Sequence, residues 1–224
     1  MDKVTVIIPA YNEEKTIGKV IDFIKNENVI DSEIIIVDNC SIDKTKQIAK
    51  SKNVKVVSCN IKGKGVAMLQ GLKYSSNDII VFLDADIINY ESNIIDKLVS
   101  PILNENIDFV KSTFNRKEGG TVTEIMVKPM LDLLFPNIYK FSEPISGIIA
   151  CKKELLNKIQ LEEDYGVDIG ILLDAINSNA KIKEVNIGDI TNGSHKDKTL
   201  KRMRDMSKQI MRVILKKYND FLNK

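Results

Sequence analysis

Cysteine is scarce in this chain: Cys40, Cys59 and Cys151 are all there are, an odd number with no CxxC pair. A disulfide framework therefore has no support. With no secretory leader at the N-terminus, the expectation is reduced thiols in the cytoplasm. No apolar run approaches the roughly 20 residues that span a bilayer, so any membrane contact is expected to be peripheral. Net charge is only +2, which gives no overall pull towards nucleic acid. Arginine occurs four times against 29 lysines. Each arginine is worth noting, because a planar fork suits phosphate better than an ammonium does. There is no internal repeat, low-complexity segment or linker, and 224 residues fit one domain, 1–224. The first strand-to-helix turn lacks GxGxxG, which excludes a dinucleotide-binding Rossmann site, and no GxxxxGK[ST] marks a Walker loop.

What is present is alternation of strand and helix. Apolar runs predict strands over 4–8 (stopped by Pro9), 34–37, 54–58 and 78–83. Between them, Ile17, Val20, Ile21 and Ile24 fall on one helical face, with Asn12 as a cap. A short helix capped by Ser41 or Asp43 runs to about residue 51, and another covers 65–74. This order implies a parallel, doubly wound α/β sheet with right-handed crossovers. The second half is more mixed. Helices are expected over 93–103, over 122–135 with a bend at Pro129, and over 166–177, and strands over 108–114, 145–151 and 182–187. A short helix to 159 follows the second of these strands, and a final helix runs from Leu200 to about 222.

The segment Ile79-Ile80-Val81-Phe82-Leu83-Asp84-Ala85-Asp86 carries the most chemistry. A strand buried on both faces stops at two carboxylates spaced i, i+2, which point the same way on a strand. They stand where open α/β sheets bind ligands. Adjacent carboxylates repel each other and are costly to bury without a cation, so a hard ion such as Mg²⁺ or Mn²⁺ shared with a diphosphate suits them. The plain alternative is a pair of solvated aspartates in a turn. The loops Pro9-Ala10-Tyr11-Asn12-Glu13-Glu14 and Asp38-Asn39-Cys40-Ser41 end neighbouring strands on the same side. Asp38 suits either a nucleobase N–H, a ribose hydroxyl or a helix cap. Gly63-Lys64-Gly65 opens a helix, where backbone N–H groups and a lysine favour a diphosphate, or else form an ordinary turn.

These motifs in this order, over residues 4–86, resemble the GT-A fold glycosyltransferases of the family-2 type. The resemblance implies a Rossmann-like, mostly parallel sheet, a UDP-sugar donor and a divalent metal at the Asp84-Ala85-Asp86 motif. In the second half, Phe109-Val110-Lys111, Gly119-Gly120-Thr121-Val122-Thr123-Glu124, Pro144-Ile145-Ser146-Gly147 and Tyr165-Gly166-Val167-Asp168 are similar to the glucosyl-3-phosphoglycerate synthase family. That likeness implies UDP-glucose as donor, a small phosphorylated acceptor such as 3-phosphoglycerate, and retention of anomeric configuration. It divides the chain into a nucleotide-sugar half, 1–90, and an acceptor half with the C-terminal helix, 91–224. By resemblance, Pro9, Ala10, Tyr11, Asn12, Glu13, Asp38, Asn39, Lys64, Asp84, Ala85 and Asp86 surround the donor. Gly120, Thr121, Thr123 and Gly147 meet the acceptor, and Asp168 orients the sugar beside Lys64 as the catalytic pair. His195, the single histidine, joins Asp84 and Asp86 on the metal; on its own it reads as a surface-loop residue.

Two positions depart from the family pattern. Thr121 stands where the family has an arginine suited to the acceptor phosphate, and Ile148 follows Gly147 where a glutamate is usual. Arg116 is the sequence's candidate replacement for the missing arginine. The basic final helix, with Lys201, Arg202, Arg204, Lys208 and Arg212, packs on the core or a partner subunit in one reading, which leaves a homodimer open, and lies on anionic membrane in another. The other function classes carried by the sequence are sugar transfer to a polyprenyl phosphate and sugar-nucleotide binding without transfer.

Overall fold

In the computed structural model, residues 4–27, 32–116, 120–136, 141–193 and 199–223 are described. Seven strands form one sheet: β1 Val4–Ala10, β2 Ser32–Asn39, β3 Lys55–Cys59, β4 Ile79–Phe82, β5 Phe109–Arg116, β6 Ile149–Lys152 and β7 Ile182–Ile190. Their order is β3-β2-β1-β4-β6-β5-β7. All neighbours pair parallel except at β6, which is antiparallel to both β4 and β5. Both faces are covered, which is why the central strands are apolar at consecutive positions. Val6, Ile8, Ile36 and Val81 meet α1 (Ile17–Asn26), α2 (Thr45–Ser51) and α4 (Ile94–Asn104) on one side. Ile7, Ile35, Val37 and Phe82 meet α3 (Lys64–Tyr74), α6 (Lys153–Lys158), α7 (Val167–Asn177) and α8 (Leu200–Leu222) on the other. Each such side chain contributes roughly 1.5–3 kcal/mol by leaving water. Among the described residues, no helix is long and apolar enough to cross a membrane.

Several local expectations are corrected. Pro9 does not stop β1; the strand runs on to Ala10. The Ile7 carbonyl accepts from Leu83 N, so the Pro9 amide faces the same side two residues later, where β4 has already ended. Its missing N–H costs no ladder bond there. Asn12 does not cap α1, which begins five residues later at Ile17. Its backbone is left-handed (φ 57°), and its Oδ1 accepts from Ile42 N at 3.0 Å, so it stitches the β1 loop to the β2 loop. Pro129 does not bend a continuous helix. A π-helical turn, Thr123–Val127, runs into α5 (Lys128–Leu134), with Pro129 in its first turn, where a proline removes no needed donor. The strand expected from residue 145 begins only at Ile149, because Ser146 turns back on the Glu143 carbonyl.

Gly71 lets α3 lie close on the sheet. A Cβ there would overlap Ile7 Cγ2 and stand 3.1 Å from Val37 Cγ2. Overpacking costs about 1–3 kcal/mol and the gain in helix propensity returns up to about 1. Gly71→Ala is therefore expected to lower stability by about 1–2 kcal/mol in urea unfolding; unchanged or raised stability would show that α3 can back away.

Candidate active site

The tips of β1, β2 and β4 and the N-terminus of α3 open into a cleft of about 540 Å³. One wall carries Pro9, Ala10, Tyr11, Glu13 and Asn39; the other carries residues 120–123, Ile145, Tyr165 and the α8 residues Arg202, Met203, Met206 and Ile210. Lys64, Asp84, Ala85, Asp86, Asp168 and Asn192 line the space between them.

At the centre is an ion cluster. The Lys64 ammonium lies 2.7 Å from Asp168 Oδ2 and 3.1 Å from Asp84 Oδ1. Burial alone would push this lysine down, but the Asp168 and Asp84 charges outweigh it and hold it well above the ordinary lysine range. Asp84 moves up instead: burial raises it, Lys64 opposes, and the neighbouring Asp86 and Asp168 charges add to the rise. Asp168 is only 4% exposed, and its Oδ1 is buried without a hydrogen-bond partner. Gly147 backs the cluster from below. A Cβ at that position would overlap Lys64 Nζ and crowd Asp84 Oδ1 and Asp168 Oδ1.

The loop after β4 is held by its own side chains. Tyr90 Oη accepts from Asp84 N at 3.0 Å and donates to Asp84 O at 2.8 Å. β4 ends at Phe82, so Asp84 and Asp86 lie in this clasped turn and not on the strand, and both line the cleft. Asn192 Nδ2 donates to Asp86 Oδ2 at 3.0 Å, and Gly193 N donates to Asp86 O at 2.5 Å. The segment leading to His195 is therefore tied to the aspartate motif; His195 itself lies outside the described residues.

Most of the residues expected at the site converge. Pro9, Ala10, Tyr11, Glu13, Asn39, Lys64, Asp84, Ala85, Asp86, Gly120, Thr121, Thr123 and Asp168 all line the cleft. Asn12, Asp38 and Gly147 sit one layer back. Asn39 also braces the loop before α3, because its side chain donates to Ile61 O at 2.7 Å and accepts from Gly63 N at 2.9 Å. Arg116 ends β5, and its side chain is not among those described. The two glycines around Lys64 serve packing: a Cβ on Gly63 or Gly65 would run into the backbone carbonyl of Glu163 or Glu162.

Sequence reading missed Lys62, Tyr165, Asn192, Arg202, Met203 and Met206 as cleft residues. The scarcity of arginine singled out Arg202 without a place for it, and Tyr165 lay within a quoted motif. Lys62 carries no signal of its own; it stands 4.1 Å over the Tyr11 ring and donates to Tyr11 Oη at 3.0 Å.

Lys111 is fully buried behind the cluster, its ammonium 2.6 Å from Ser146 O. Burial pushes it down to about 8, against the opposing pull of Asp168. An unfolded lysine titrates near about 10.4. Between these values the unfolded chain holds the proton more tightly, so the burial penalty, present in full below about pH 8, is relieved as pH rises towards about 10.4. Relative to Lys111→Met, the wild type is expected to gain on the order of 2–3 kcal/mol across that window in urea unfolding. Parallel pH profiles for the two proteins would refute the buried charge.

Residues 5–159 match the family model described as glycosyl transferase family 2. The chain is 34% identical to glucosyl-3-phosphoglycerate synthase of Mycobacterium tuberculosis, with 95% of this chain and 72% of that protein covered. It is 32% identical to the synthase of the same name from Petrotoga mobilis, over 98% of this chain and 74% of that one. The crystal structure of the M. tuberculosis synthase in complex with Mn²⁺, UDP-glucose and phosphoglyceric acid superimposes with a TM-score of 0.89 at 33% identity, covering 97% of this chain and 80% of that one. With the strand order, the cleft at the strand tips and the family match in agreement, this chain belongs to glycosyl transferase family 2 and is a GT-A fold, nucleotide-sugar-dependent glycosyltransferase.

Proposed function

We propose that this enzyme moves glucose from UDP-glucose to a small phosphorylated acceptor such as 3-phosphoglycerate, with retention of configuration and with Mg²⁺ or Mn²⁺ bound. The observation that carries the reading is the Lys64 ammonium fixed between Asp84 and Asp168 on the floor of a two-walled cleft. Residues 1–90 serve the donor, and 91–224 the acceptor, within one catalytic domain that works in the cytoplasm.

The donor set fits a hard divalent ion. Asp84 and Asp86 offer carboxylate oxygens, and a cation would relieve the repulsion that helps raise Asp84. Among the described residues no third acid, histidine or cysteine completes a cluster; the family resemblance supplies His195, and the donor's diphosphate oxygens would fill the rest. Such an ion, when bound, offsets charge developing on the leaving diphosphate. Lys64 adds a preorganised donor to the same group. Pro9, Ala10, Tyr11 and Glu13 border the nucleotide, and the buried, unpartnered Asp38 Oδ1 awaits a nucleobase N–H. The unpartnered Asp168 Oδ1 orients a sugar hydroxyl. In the transfer, the anomeric carbon exchanges its bond to the diphosphate oxygen for one to the acceptor hydroxyl on the same face. The acceptor proton leaves with the diphosphate oxygen, and no side-chain nucleophile is needed.

A screen of donors against acceptors with mass detection tests this directly. A hexosyl adduct of a phosphorylated three-carbon acid that forms only with metal is expected; transfer to polyprenyl phosphate alone would overturn the acceptor. Asp86→Ala should abolish Mn²⁺-dependent UDP binding, and an unchanged calorimetric affinity would remove Asp86 from the metal. Lys64→Met should lower kcat about 10²–10³-fold, the usual loss when a preorganised donor to developing charge is removed; a kcat within a few-fold of wild type would end its proposed role.

A further inference from the structure

We propose that Lys111 is a positioning residue for Lys64, acting from behind the cleft through the turn at Gly147 to keep the Lys64 ammonium available to the donor diphosphate. The role rests on the UDP-sugar donor proposed above. Lys111 lies on β5, and its side chain is fully buried. A buried ammonium costs stability unless its surroundings offset the lost water. Its hydrogen bond goes to a carbonyl, Ser146 O at 2.6 Å, a neutral acceptor that offsets less than a carboxylate would. Burial accordingly outweighs the pull of Asp168 on this group. An apolar side chain of the same length would escape that penalty. A charge kept at such a cost beside a cleft marks a candidate for a role in the site.

The carbonyl that Lys111 holds belongs to a turn tied to β5 on both sides of Gly147. Before it, Ser146 Oγ lies 3.0 Å from Ser112 Oγ, next to Lys111 in sequence. After it, Ile148 O accepts from Ser112 N at 3.2 Å, and Ile148 N donates to Ser146 Oγ at 3.1 Å. Gly147, between these ties, presses on the ion cluster. A Cβ there would overlap Lys64 Nζ and stand 2.8 Å from Asp84 Oδ1. The peptide at Gly147 therefore limits where the Lys64 ammonium can sit, and Lys111 and Ser112 fix that peptide. Charge works to the same end. The two ammonium groups repel, and Asp168 and Asp84 attract both. Lys111 thus weakens the grip of the carboxylates on Lys64, which must turn a donor towards the diphosphate. A lysine that merely satisfied a buried carbonyl would affect stability and leave Lys64 unchanged.

The test is a double-mutant cycle on the full chain saturated with Mn²⁺, titrated with UDP by calorimetry near pH 7, where Lys111 carries its charge. Lys111→Met should weaken UDP binding about 10-fold, the lower end of what loss of a supporting group behind a site costs. In a Lys64→Met background the same change should alter UDP affinity less than about 2-fold, because residues that act as one unit are not additive. Ser112→Ala, which cuts the second tie to the turn and removes no charge, should weaken UDP in the same Lys64-dependent way, and it serves if Lys111→Met shows no cooperative urea transition. Unchanged UDP affinity in Lys111→Met and Ser112→Ala, or losses that add in full to that of Lys64→Met, would overturn the role and leave the proposed reaction standing. A wild type that binds no UDP would overturn both. If the cycle shows coupling but no phosphorylated acceptor is glycosylated, the role of Lys111 stands and the proposed acceptor falls.

Discussion

A lysine ammonium caught between two carboxylates organises this enzyme. Lys64 comes from the start of α3, Asp84 from the loop after β4, and Asp168 from the start of α7. Removing one member of a buried pair costs about 3–5 kcal/mol, because the charge left behind has lost both water and partner. The three elements are therefore locked at a common point, and the space above that point is the cleft. The absence of any side chain on Gly147 is part of the same device, since the ammonium occupies the volume a methyl would need.

The reversed strand makes this meeting possible. β6 runs antiparallel to β4, with Ile149 opposite Phe82. The residues that precede β6 therefore emerge at the same edge of the sheet as the residues that follow β4. In an all-parallel sheet, Gly147 would lie at the far edge, well away from Asp84. β5 is in turn antiparallel to β6, so it ends at that edge too and sends residues 120–123 over the cleft. One change of direction thus brings the loops after β1, β2 and β4 and residues 120–123 to one rim, while both faces of the sheet stay covered by helices.

Much of the fold was legible because its signals are local. The apolar runs of β1, β2 and β4, the spacing of Ile17, Val20, Ile21 and Ile24, and the carboxylates after Phe82 need no partner to be read. The errors share a cause. Asn12 looked like a helix cap, yet its side chain crosses to Ile42, a neighbour only in space. Pro9 looked like a strand breaker, yet the neighbouring strand had ended. The packing need of the glycines beside Lys64 was equally invisible, because the backbone at Glu162 and Glu163, about 100 residues away, occupies the space that side chains there would take. Arg202 was visible only as a rare residue on a basic helix.

The order of strands and helices, the aspartate motif and the lysine that serves it follow from the sequence alone, because hydrophobic period and turn chemistry are properties of adjacent residues. Which charges face each other was decided by tertiary structure. Lys64 and Asp168 are 104 residues apart and Asp86 and Asn192 are 106 apart, and only the closure of the sheet sets such pairs within hydrogen-bonding distance.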